Sequence, residues 1–139
     1  MRNIWDDYLI PLGAFLLLVL FLCANARSAD FQVEFKPLPR HAVVLEAAWQ
    51  IENLVDINQT LKIARDPADW REVGTMSLIT GPHPTVRQVW FVSLATAVLH
   101  YGVSQVLENT DHPRLLAAWQ LGTLGYKTWD INRNRENGL

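Results

Sequence analysis

Gly81-Pro82-His83-Pro84-Thr85, running into Val86–Leu107, decides how this chain is read. Pro82 and Pro84 remove two backbone donors and break the chain immediately before Val86. Thr85 is placed to cap a helix that starts there. The 19 residues from Val89 to Leu107 carry no formal charge unless His100 is protonated, which is long enough to cross a bilayer. Ser93, Thr96, Ala97, His100 and Ser104 fall on one narrow stripe of that helix. Small and hydroxyl side chains in a stripe let helices approach closely and hydrogen-bond across the contact. Trp90, Phe91, Leu94, Val98, Leu99 and Val106 cover the other sides. A helix apolar around most of its circumference belongs in lipid or in a large core. A chain of 139 residues is too short for the second.

Working outward, Ala42–Ala64 reads as a helix with two unlike faces. Val43, Val44, Ala47, Ile51, Leu54 and Leu61 share one face, while Glu46, Glu52, Asn53, Asp56, Gln59 and Thr60 share the opposite arc with Trp49. In water the polar arc would be solvated; in a membrane it must face the protein interior. Asp66-Pro67 has the form of a helix start, which predicts a short helix through Trp70 and Glu72. Asn109–His112 reads as a polar turn, and Pro113 opens a last helix through about Ile131. Gly122 and Gly125 are small enough for close helix contact there. Asn132–Leu139 is expected to be a frayed, charged tail.

Towards the N-terminus, Tyr8–Ala26 is an almost unbroken apolar run. It fits a retained span by length, and Ala24-Asn25-Ala26 also fits a signal-peptide cleavage site. Asp6 and Asp7 beside Arg2 argue against a signal, whose leading region is positive. Phe31, Val33 and Phe35 then alternate with polar residues, before Pro37 and Pro39 close a short extended linker. The expected organisation is therefore a span or signal over residues 1–29, a linker over 30–41, a helical bundle over 42–132 and a polar tail over 133–139. The fold class is all-α: a small helical membrane bundle of three or four helices with an N-terminal hydrophobic segment.

Composition narrows the function classes. A net charge of −2 provides no basic field for nucleic acid. The single Cys23 excludes an intramolecular disulfide and any cysteine-rich metal site. A mean hydropathy of +0.05 is modest for a protein of several spans and keeps a secreted soluble helical domain in view. The six tryptophans mostly fall near the ends of apolar stretches, where a membrane-interface belt would place them. With four spans and an inside N-terminus, Lys and Arg divide eight inside against four outside, the direction the positive-inside rule favours. That orientation places both termini in the cytoplasm if the first span is retained.

Glu52, Asp56, Glu72, His83 and His100 are the ionisable residues that could converge. Such a set suits acid–base work or a divalent metal, yet no pair has a metal-binding spacing and no cofactor motif is present. An interhelical network joining Asp56, Gln59 and His100 accounts for them with no chemistry. His100 is expected to face the Ala42–Ala64 helix and to bond Asp56 or Gln59.

These residues also form a pattern: Asp56-x-x-Gln59-Thr60, then Glu72, then Gly81-x-His83-Pro84-Thr85, then His100 within an apolar helix. It resembles a group of small uncharacterised bacterial and phage integral-membrane proteins over roughly Ala42–Asn132, with Arg114 and Asn132 similar to the group's closing features. The group carries Glu-x-Asn-Pro close before the glycine, whereas here Val73 and Gly74 follow Glu72. The resemblance implies a membrane topology and transfers no activity. The functional expectation is a non-enzymatic membrane protein, contacting the bilayer and other membrane or envelope proteins or itself. On a phage origin this means superinfection exclusion or lysis assistance. A holin-like pore former and an intramembrane His/carboxylate metalloenzyme are the alternatives.

Overall fold

The chain was analysed as a computed structural model that describes residues 36–72 and 75–139. Residues 1–35, with the Tyr8–Ala26 run and the start of the linker, lie outside that range. Everything regular within it is helical: α1 (Arg40–Arg65), α2 (Thr75–Thr80), α3 (Val86–Asn109) and α4 (Pro113–Glu136). The all-α expectation therefore holds, and three long helices form the bundle. α1 packs most extensively on α4 and then on α3, while α3 and α4 meet each other least.

Local chemistry explains most helix boundaries. Thr85 and Gln88 form a reciprocal capping box at the start of α3, the Thr85 hydroxyl accepting from the Gln88 N–H at 3.2 Å. Pro113 stands in the first turn of α4, where its missing N–H costs nothing. Asp111 takes a left-handed φ of 56° in the intervening turn, a conformation aspartate tolerates better than most residues.

Two expectations need correcting. Asp66 ends α1 rather than starting a helix: its N–H donates to the Lys62 carbonyl, and Asp69 and Trp70 turn back onto its own carbonyl. Pro67 stops α1 because it disfavours helical backbone at Asp66. The short helix forms later, at Thr75–Thr80, while Glu72 is held by its N–H donating to the Pro82 carbonyl at 2.8 Å. The C-terminal tail is not frayed. α4 continues past Ile131 to Glu136, Asn134 is buried, and the Lys62 ammonium donates to the Gly138 carbonyl at 2.9 Å.

Much of what the bundle buries is polar. The polar arc of α1 faces inward, with Glu46, Asn53, Asp56, Gln59 and Thr60 all buried. Its apolar face looks outward: Val43, Val44, Ile51 and Leu54 are more than half exposed, and of that face only Leu61 is buried. The same holds for α3 and α4, where His100, Ser104 and Gln120 are inside while Phe91, Leu115 and Leu121 are outside. One small apolar cluster remains within, where Ile57, Leu61 and Ala64 of α1 meet Val86 and Val89 of α3.

This distribution predicts unequal costs for two similar substitutions. Ile57→Ala should destabilise the purified chain by about 2–5 kcal/mol in thermal or denaturant unfolding. Leu54→Ala, on the exposed face, should stay within about 0.5 kcal/mol of the parent. A pH dependence follows at the surface, where the Lys36 ammonium lies 2.5 Å from Asp111 and the Lys36 N–H donates to Asn109. The hydrogen bond and charge of Lys36 hold the Asp111 carboxyl below its ordinary value, and Asp111 raises that of Lys36. The tie should therefore persist across neutral pH. It should be lost as pH falls through the lowered Asp111 value, or rises through the raised Lys36 value. Protection of the Lys36 amide, measured as its exchange rate relative to an unstructured amide at the same pH, should fall at both extremes.

Candidate functional site

The middle of the bundle is organised by the Glu46 carboxylate. It accepts from Gln50 one turn along α1 at 2.9 Å, from the Ser104 hydroxyl of α3 at 3.0 Å, and faces His100 Nδ1 at 3.0 Å from both oxygens. The opposite ring nitrogen, Nε2, lies 2.8 Å from Thr123 Oγ1 of α4. The Thr123 hydroxyl is also 2.7 Å from the Trp119 carbonyl. Both ring nitrogens thus have a hydrogen-bond partner, one on each neighbouring helix. Trp49 of α1 stacks on the ring at 3.9 Å between centroids and only 6° from parallel, and Trp119 of α4 stacks nearby at 5.1 Å. His100 thus joins all three long helices.

A second set of polar contacts joins α1 to α4 further along. The Lys127 ammonium reaches Asp56 at 2.5 Å, with both groups largely buried. Gln59 donates to the Ile131 carbonyl and accepts from Asn134 at 3.2 Å. Glu52 accepts from the Thr128 hydroxyl at 2.7 Å. The Thr60 hydroxyl donates to Glu72 at 3.4 Å, bringing the connector onto the bundle.

His100 therefore faces α1, but its partner is Glu46 rather than Asp56 or Gln59. The reason is register: Asp56 and Gln59 lie two to four turns beyond Glu46 towards the C-terminus of α1, level with the far half of α4. His83 is exposed in the turn before α3 and takes no part. The packing seam is narrower than the stripe in sequence. Ser93 and Ser104 are buried in it, and the Ala97 carbonyl accepts from Gln50, whereas Thr96 is exposed and bonds its own helix at Val92. Sequence reasoning missed Glu46, Thr123 and Lys127. Glu46 was legible as a carboxylate in the middle of the polar arc. Thr123 and Lys127 share a helical face at i and i+4, a weaker signal.

A cavity of about 210 Å³ runs beside these groups, with Trp49, His100, Trp119 and Thr123 at one end and Lys127 and Asp130 at the other. Among the described residues no cluster of His, Cys, Asp and Glu is arranged to hold a metal ion. Chemically the arrangement ties the three long helices together through buried polar and charged side chains. No protein-family model matches the chain, no curated protein matches it, and no solved structure matches its fold.

Glu46→Ala removes the shared acceptor of three side chains and leaves His100 facing empty space. It should cost about 3–5 kcal/mol in unfolding, the range for breaking a buried pair from one side. Glu46→Gln keeps the shape and one acceptor oxygen, so its cost should fall clearly below that of the alanine variant. Equal costs would show that the charge, and not the acceptor geometry, carries the contact.

Proposed function

We propose that this chain is an integral membrane protein, a helical bundle of the bacterial inner membrane that works by contact with other membrane or envelope proteins. The observation that carries this reading is the inverted surface: matched polar groups inside, large apolar side chains outside. Soluble chains rarely leave contiguous apolar surface on every long helix. A lipid-facing exterior has the opposite preference, because charged and polar groups must turn inward.

Helix dimensions support it. α1, α3 and α4 have 26, 24 and 24 residues. At a rise of 1.5 Å per residue each exceeds the roughly 30 Å hydrocarbon core. By composition only α3 is apolar enough over a continuous window to cross a membrane. α1 falls short largely because the average includes its buried polar arc, Glu46, Asn53, Asp56 and Gln59, which lipid would not meet.

Action by contact is supported by the glycines. A methyl group added at Gly102, Gly122 or Gly125 would meet nothing within 4 Å, so these small residues are not used for packing inside the described bundle. Small residues on an outward helix surface suit close approach of another helix. The polar interior, in contrast, is largely matched within the chain, which favours contact over a holin-like pore.

Two measurements test the reading. The intact chain should stay with membranes through alkaline carbonate extraction; release by osmotic shock as a soluble domain would overturn it. Gly122→Leu should preserve folding, with a helix-propensity gain of up to about 1 kcal/mol. In native membranes the same variant should lose cross-linking to partners or to a second copy. Retention of every cross-link would remove the contact role from this face.

A further inference from the structure

The cavity beside His100 is a slot. Its lining on α4 runs from Trp119 to Asp130, roughly 16 Å at 1.5 Å per residue. A volume of about 210 Å³ spread over that length makes the cavity long and narrow. The volume is also below the roughly 300–1,000 Å³ of a pocket that encloses a whole small molecule.

The walls ask for an apolar occupant. His100 is tied to Thr123, Lys127 to Asp56, Asp130 lies 3.3 Å from Arg133, and Thr96 bonds its own helix. Apart from the Trp119 indole N–H at one end and Asp130 Oδ1 at the other, both buried without a hydrogen-bond partner, the slot offers a guest few unspent polar groups. Between them the lining is aromatic and aliphatic. The exposed large apolar residues of its lining are Leu99 of α3, Ile79 of α2 and Tyr126 of α4, and α3 and α4 are the two long helices that pack least on each other. Charged groups gather at the Lys127 end only.

We propose that this slot holds one acyl chain of a bilayer glycerophospholipid. The chain enters sideways between α3 and α4, with its polar end level with Lys127 and its tail running along Tyr126 and Thr123 towards Trp119. The inference rests on the membrane reading above. It assigns the gap between α3 and α4 to lipid rather than to another helix, leaving the glycine-bearing outer surface for protein contact.

The test is photo-cross-linking of the full chain in vesicles of phosphatidylcholine whose acyl chain carries a diazirine, with adducts mapped by mass spectrometry. Adducts are expected on the inner wall, at Trp49, Trp119 and Thr123, as well as on outer residues such as Phe91 and Leu115. Thr96→Phe places a bulky ring on the slot lining from an exposed position that should not disturb folding. It should lose most of the inner adducts and keep the outer ones. Adducts confined to the outer residues would overturn the proposal while leaving the membrane reading intact. So would an inner wall shielded from lipid and cross-linked to another polypeptide. A chain that fails to enter vesicles and gains no adducts would overturn both.

Discussion

The Glu46 carboxylate is the constraint on which the bundle depends. One side chain of α1 accepts from its own helix and from Ser104, and pairs with His100 on α3, which in turn meets Thr123 on α4. Hydrophobic burial cannot supply the same cohesion, because the described interior holds more buried polar side chains than apolar ones. Removing one partner of such a pair is expensive because the other is left buried and unmatched. Charge-assisted bonds of about 3 Å also fix helix rotation, which a smooth apolar interface does not. The two indole rings that stack on His100 restrict the ring plane and so keep both nitrogens on their hydrogen-bond partners.

Much of the architecture was legible in the chain, for identifiable reasons. The break at Pro82 and Pro84, the Thr85 cap and the uncharged run to Leu107 are local signals, and local signals survive folding. The two unlike faces of α1 were also visible, but which face turns inward is a property of the surroundings. Periodicity records that the faces differ and says nothing about what each one touches. Asp66-Pro67 misled because an aspartate before a proline serves equally well to end one helix as to begin the next. The C-terminal tail read as loose for a similar reason: Asn134 and Gly138 gain their order from Gln59 and Lys62, far away in sequence.

The candidate site was legible in kind more than in detail. An interhelical polar network through His100 follows from one ionisable group on an otherwise apolar helix, since such a group needs a partner. Choosing Glu46 over Asp56 requires the vertical register of α1 against α3, and no pairwise spacing in a single sequence encodes that. Thr123 was invisible for a different reason. A threonine bonded to the carbonyl four residues back is ordinary in any helix, and only the arrival of His100 gives it a further role.

The order of the helices along the chain has a consequence for biogenesis. Of the described helices α1 leaves the ribosome first, yet its most extensive partner, α4, is the last of them. Until α4 arrives, Asp56 has no ammonium and His100 has no hydroxyl at its second nitrogen. In a bilayer that interval would leave carboxylates facing lipid, a condition that translocating machinery does not tolerate cheaply. On the membrane reading proposed above, α1 would have to be held in a protected aqueous or protein-lined environment until α4 has been made. The inserted unit on that reading is the described helical set released together, and truncation before Pro113 would strand α1.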